Sequence, residues 1–324
     1  MARRPTDDAL MARLGEIVDA GPTDDCVPEL RGMLSHRNSA LVGRAARAVA
    51  TLGAVELAPD LIATFGRLLD SAPKADEGCL AKAALAEAMD ALRLDDREPF
   101  LRGIRHTQME PVYGGAEDTA PPLRARCAFA LARLGGTDAM LALTALLTDP
   151  EPEARVGAVK AVAHRGGFDA ELLLRMKASS GDAHVDVTAE CLTGLMAVEP
   201  DRSLEFVAGY LSAPDEAIAE AAALALGESR EPAALAALWD YRARTIMSPG
   251  MEDAVLLAVA LSRSDEGMDY LLNVIADDTP TNAARAVAAL RIYAHDEAVT
   301  ERVRGVVGTR DATLTSDAFR EYFP

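Results

Sequence analysis

Apolar residues recur along this chain at helical spacing, and no segment shows the strict alternation that marks a half-buried strand. Leu204, Val207, Ala208 and Leu211 fall at i, i+3, i+4 and i+7, and Leu143, Leu146 and Leu147 draw the same stripe two units earlier. Each stripe predicts an amphipathic helix. Between the stripes stand Asp149-Pro150-Glu151-Pro152, Pro200-Asp201 and Pro214-Asp215, which end one helix and cap or start the next. The alternate helices are alanine-rich and resemble one another. They read RAARAVATLG ending at Gly53, RCAFALARLGG at Gly136, GAVKAVAHRGG at Gly167, AECLTGLMAV at Val198, EAAALALGES at Ser229 and ARAVAALRIYAHD at Asp296. Taking Gly135, Gly166, Val198 and Ser229 as equivalent gives steps of 31, 32 and 31 residues. A period of that size marks a stack of helix pairs, one pair per repeat. Second helices are predicted near residues 38 to 52, 77 to 93, 120 to 134, 152 to 165, 184 to 198, 215 to 228, 250 to 263 and 281 to 294. The whole chain, 1–324, is expected to form one repeat domain, with a capping helix within 1–20, repeats over 21–307 and a tail over 308–324.

With these segments the chain resembles HEAT-repeat proteins, in particular the bacterial HEAT-like repeats also seen in phycobiliprotein lyases, over roughly residues 20 to 307. The resemblance implies an all-α, right-handed α-α superhelix of about eight helix pairs. Its most specific element is a polar pair: Asp118 precedes Arg124 by six residues and Asp149 precedes Arg155 by six, while Asp278 and Arg285 come close at seven. In HEAT repeats such a turn Asp and second-helix Arg form a ladder between adjacent units, so the resemblance implies structural roles for these four ladder residues and, less regularly, for Asp278 and Arg285. The repeats around Val198, Ser229 and Ser264 lack the Arg, and the ladder is expected to break there.

Composition narrows the function. Half the residues are apolar but only 4% are aromatic, which suits closely packed Ala and Leu helices. A formal net charge of −18 repels a phosphate backbone, so nucleic acid is not the expected partner. Cys26, Cys79, Cys127 and Cys191 are far apart, with no CxxC pair and no His at ligand spacing, and read as buried reduced thiols. Arg3 and Arg4 run straight into Asp7 and Asp8 without an apolar core, and the longest apolar stretch, Ala254 to Leu261, is far short of a membrane span. A cytoplasmic bacterial protein without a membrane segment is expected. Phe319, Tyr322 and Phe323 crowd the last residues, and the tail is expected to dock on the final repeat or on a partner.

Gly53 to Gly135 spans 82 residues for two units, about twenty more than the period requires. The longest irregular stretch, His106 to Thr119, lies between the two helices of the third unit. It gathers His106, Gln108, Glu110, Tyr113 and Asp118 beside Gly114-Gly115, and the flanking helices add Arg102, Arg105, Arg124 and Arg126. Two readings stand. In one, an ordered loop with locally basic flanks forms part of a binding surface for a partner or ligand. In the other, His106 caps a helix end, Asp118 joins the ladder, and the arginines pair with Asp95, Asp96 and Glu98. Ser71-Ala-Pro-Lys74 has a nucleophile's SxxK spacing, but Pro73 breaks the turn that would bring Lys74 onto Ser71. HExxH, GxSxG, Walker and GxGxxG motifs are absent, as are the repeated His-Glu dipeptides of deoxyhypusine hydroxylase.

Residues 182 to 231 hold eleven Asp or Glu against two Arg. This run is either a solvated helix face or an acidic docking surface, with Glu205, Glu216 and Glu220 facing a basic protein. The expected function is a non-catalytic scaffold or adaptor, binding another protein with a basic surface on its repeats and third-repeat loop. The alternative is a chromophore or small-ligand enzyme resembling HEAT-like bilin lyases. No cofactor, metal, nucleic acid or membrane is expected to take part, and no residue is assigned a catalytic role.

Overall fold

A computed structural model describes residues 6–23, 26–310 and 312–323. Residues 1–5 of the expected capping segment, and 311 and 324 of the expected tail, lie outside the described residues. The chain divides into two compact units, Met1–Arg165 and Gly166–Pro324.

The first unit opens with α1 (Asp7–Ala20). Four pairs follow: α2 (Cys26–Leu34) with α3 (Ser39–Leu52), α4 (Ala58–Leu69) with α5 (Leu80–Ala91), α6 (Glu98–Gly103) with α7 (Pro121–Leu134), and α8 (Thr137–Leu146) with α9 (Pro152–Arg165). The second unit contains five pairs: α10 (Phe168–Ser180) with α11 (Val185–Val198), α12 (Pro200–Gly209) with α13 (Glu216–Ser229), α14 (Pro232–Arg244) with α15 (Pro249–Leu261), α16 (Asp265–Asp277) with α17 (Pro280–Ala289), and α18 (Glu297–Gly308) with α19 (Thr313–Tyr322). Within each unit the second helix of one pair packs on the second helix of the next, α3 on α5, α5 on α7 and α7 on α9, then α11 on α13, α13 on α15, α15 on α17 and α17 on α19. This is the HEAT-like arrangement, and the described residues are all-α apart from one hairpin.

Local chemistry sets the boundaries. Asn38, Asp215, Ser248, Ser264, Thr279 and Asp296 each cap a helix by accepting from a backbone N–H of its first turn. Alanine-rich second helices leave little side chain between backbones. A Cβ on Gly227 of α13 would lie 2.1 Å from the carbonyl oxygen of Ala258 on α15, so only glycine permits this approach.

Three sequence expectations need correction. Residues of the expected tail form α19, which packs on α17 beside a buried Phe323, so the described residues form nine pairs where about eight were expected. A two-stranded hairpin stands where no strand was expected, between α6 and α7. Its strands are only four residues each, too short for alternation to register. The ladder also differs in its second half. Arg285 turns to Asp253, at 2.9 Å, and Asp278 is bound by Arg242 of α14, which reaches Glu252 as well, both at 2.6 Å. In the pair of α14 and α15, whose second helix lacks the arginine, the first helix supplies Arg242, and a rung between Glu252 and Asp278 persists there. Arg242 also donates to the Tyr270 hydroxyl at 3.1 Å, and its three acceptors outweigh burial and raise its pKa.

Candidate functional site

The hairpin is built from β1 (Met109–Val112) and β2 (Gly115–Asp118), antiparallel, with Val112 opposite Gly115 and Met109 opposite Asp118. The two-residue turn is Tyr113-Gly114, and Gly114 holds φ at +90°, a conformation that a side chain would strain. Thr119 N–H donates to Gln108 O at 2.9 Å, so alternate pairs, 110 with 117 and 112 with 115, carry the ladder bonds. Pro111 therefore points its missing N–H outward, where no bond is lost and a stray strand finds no donor.

The base of the hairpin is fixed by a buried polar network. Lys82 on α5 has 0% exposure and Asp76 1%. The Lys82 ammonium lies 2.6 Å from Gln108 Oε1 and 3.3 Å from Asp76 Oδ2. Asp76 meanwhile accepts from the backbone N–H groups of Ala81 and Lys82, at 2.8 and 2.9 Å, and so caps the start of α5. The Gln108 amide donates to Asp76 O at 2.7 Å and to Glu110 Oε1 at 2.6 Å. Both of its N–H groups and its oxygen are thereby used. Glu110 Oε1 also receives Gly78 N–H at 2.8 Å and the Thr119 hydroxyl at 3.0 Å.

The second half of the network is the ladder rung. Asp118 Oδ1 accepts from Gln108 N–H at 2.9 Å and Ala120 N–H at 3.0 Å, while its Oδ2 meets Arg124 at 2.6 Å. Arg124, itself buried, extends to Asp149 of the next pair at 2.9 Å and to His106 O at 2.9 Å. One guanidinium thus ties the hairpin's end, the end of α6 and the following repeat together. Arg155, in the equivalent place, donates to Asp149 O at 2.7 Å and Pro150 O at 2.9 Å.

These contacts decide what the polar residues can do. Gln108 first, then Gly78 N–H and Thr119, hold the Glu110 carboxyl below its usual range. Burial works to raise Asp118, but the two backbone donors and Arg124 together hold it low. Burial pushes the His106 imidazole down, opposed by a 3.5 Å contact with Gln108 Oε1. Carboxylates so occupied are poor general bases at neutral pH. Among the described residues no group of three His, Cys, Asp or Glu side chains is placed to hold a metal ion. The four cysteines are buried and free, and burial pushes the Cys79 and Cys191 thiols up to about 12, which makes them unreactive.

The remaining candidates do not join this cluster. Arg102 turns to Asp70 at 2.7 Å and Arg126 to Glu87 at 3.7 Å, so the flanking arginines find carboxylates other than Asp95, Asp96 and Glu98. Arg105 is exposed and lines a shallow cleft of 270 Å³ with Leu141 and Asp149. Ser71 donates to Arg67 O in the preceding turn of α4. Tyr113 stands at the hairpin tip, fully exposed, with Val112 about half exposed next to it and Met109 about half exposed at the base end of β1. In the acidic run, Glu216 and Glu220 converge on Gly250 at the start of α15, and Glu216 accepts from the Ser248 hydroxyl. Glu205 lies apart from them, exposed on α12.

Sequence reasoning missed Asp76 and Lys82. The signal was present: Lys82, Leu85, Ala86 and Met89 fall at i, i+3, i+4 and i+7, which places a lysine on the buried stripe of a helix.

No family model and no curated protein matches this sequence. Three solved structures align over most of the chain. The complex of CpcE and CpcF of phycocyanin lyase from Nostoc sp. PCC7120 is 17% identical, with 81% of this chain and 94% of that chain covered and a TM-score of 0.41. An engineered protein is 18% identical over 98% of this chain and 92% of its own, with a TM-score of 0.36. Human deoxyhypusine hydroxylase in complex with glycerol is 17% identical over 80% and 91%, with a TM-score of 0.31. Likenesses at this level assign no activity to the chain.

Proposed function

We propose that this protein is a non-catalytic binding protein that engages another protein through the tip of the hairpin between α6 and α7. The observation that carries the reading is a division of labour along fourteen residues. His106, Gln108, Glu110, Asp118 and Thr119 are turned inward to fix the hairpin, whereas Met109, Val112 and Tyr113 are turned out to solvent. A fully exposed tyrosine next to the half-exposed Val112, with Met109 exposed at the other end of β1, gains from burial against a partner, and a preordered hairpin spares the entropy of ordering it on contact. The polar residues that first suggested a ligand site are assigned to the mount, and the apolar ones to the contact.

Changing Met109, Val112 and Tyr113 together to serine tests this without touching the network. Capture from the native host is expected to lose one or more discrete proteins, by at least about tenfold, with unchanged helical content and melting temperature. An identical set of captured proteins from the variant rejects the reading. Replacing residues 108 to 117 by a flexible linker is the poorer experiment, because it also removes Gln108 and Glu110 and leaves the buried Lys82 ammonium with Asp76 as its one remaining side-chain acceptor.

A further inference from the structure

The second unit contains a separate open groove of about 810 Å³, lined by α13, α15, α17 and α19. Its floor is apolar and made of alanines and leucines, including Leu224, Ala254, Leu257 and Ala288. Its rim carries four carboxylates, Glu220, Asp253, Asp317 and Glu321, against two guanidiniums, Arg285 and Arg291. The cations are already engaged. Arg285 holds Asp253 at 2.9 Å, and Arg291 lies 5.9 Å above the Tyr322 ring. Asp317 pairs with Arg320 of its own helix. Among the described residues Glu220 and Glu321, on α13 and α19, have no ion-pair partner, and each faces the groove across that apolar floor.

We propose that this groove docks an amphipathic basic segment of a partner protein, its arginine or lysine heads on Glu220 and Glu321 and its apolar side chains on the floor between them. The size suits a few residues of an extended or helical peptide. The charge selects a cation, since an anionic segment would meet four carboxylates and two guanidiniums that are already occupied. A long basic side chain fits both parts of such a site, its stem on the alanines and its head on a carboxylate. The site lies in a different unit from the hairpin and stands or falls without it.

The test uses the full chain and a fluorescein-labelled peptide of repeated Leu-Arg-Ala triplets, with a Leu-Glu-Ala peptide as its counterpart, followed by anisotropy. Wild type is expected to bind the arginine peptide and not the glutamate one. Glu220→Gln with Glu321→Gln should weaken binding on the order of tenfold. Glu153→Gln with Asp169→Asn removes the same charge elsewhere and should leave binding within about twofold. Ala288→Phe, which fills the floor without changing charge, should also weaken it, with circular dichroism and melting confirming that each variant is folded. Serine substitutions at the hairpin tip should change nothing. Equal losses from the two charge pairs would reduce the effect to the net charge of the protein and overturn the proposal. So would full binding by the Ala288→Phe variant, no binding by wild type, or light scattering that finds the wild type self-associating and the groove variants monomeric.

Discussion

An ammonium group with no exposure to water, such as that of Lys82, is tolerated in a fold only where acceptors replace its hydration shell, and Asp76 and Gln108 supply them. The two charges are not equivalent. Asp76→Ala leaves the Lys82 ammonium buried with one strong acceptor and also uncaps α5, and is expected to cost about 3–5 kcal/mol. Lys82→Met keeps the volume of the stem and leaves Asp76 still bound by two backbone N–H groups, so its loss should be clearly smaller. Urea unfolding of the two variants measures the order, and Lys82→Met proving the more damaging would contradict this account of the network. The sequence hid this pair because Asp76 lies in an irregular segment, among the short 3-10 turns Pro73–Ala75 and Glu77–Cys79, where nothing in the spacing marks its direction. The ladder residues Asp118, Arg124 and Asp149 were legible because their six-residue offset repeats, and the structure joins all three.

At the scale of the element, the hairpin is held by groups that all lose stabilising interactions in acid. Asp118 and Glu110 titrate below their unfolded values, so what they contribute is complete above the usual carboxylate values of 3.8 and 4.5 and is lost as pH falls through the folded ones. His106 acts in the same sense. Burial depresses it, so the unfolded chain takes up its proton first, and its contribution starts to fall below the usual value of 6.5. Hydrogen exchange at the amides of Gln108, Thr119 and Ala120, corrected for intrinsic rates, should therefore show protection that is flat above neutrality, begins to decline below pH 6.5 and declines more steeply in the carboxylate range. Protection that stays constant down to the lowest carboxylate values would contradict it. The hairpin's place was legible and its form was not. The 82 residues between Gly53 and Gly135 announced an insertion, and the structure divides the excess between the turns before α5 and the hairpin before α7. Strands of four residues with Pro111 inside one of them leave no periodic trace.

For the molecule as a whole, helix pairs were readable because alanine-rich second helices impose a period that survives changes of individual residues, and all eight expected second helices coincide with α3, α5, α7, α9, α11, α13, α15 and α17 to within a few residues. The ninth pair escaped notice because α19, with Leu314, Phe319 and Tyr322, lacks that alanine signature. Among the described residues no helix is long and apolar enough to cross a membrane. A net charge of −18 spread over such a chain makes non-specific attraction to cations general, so a test of function has to compare sites of equal exposure. Tyr113 and Ile246 offer that comparison, at 108% and 103% exposure, one on the hairpin tip and one between α14 and α15. A photo-crosslinking benzoylphenylalanine placed at either position in the native host, followed by irradiation and identification of adducts, tests the hairpin claim most directly. The account predicts a discrete protein adduct from position 113 that position 246 does not give, and one that Val112→Ser abolishes or strongly weakens. The same adducts from both positions, or none from position 113, would contradict it.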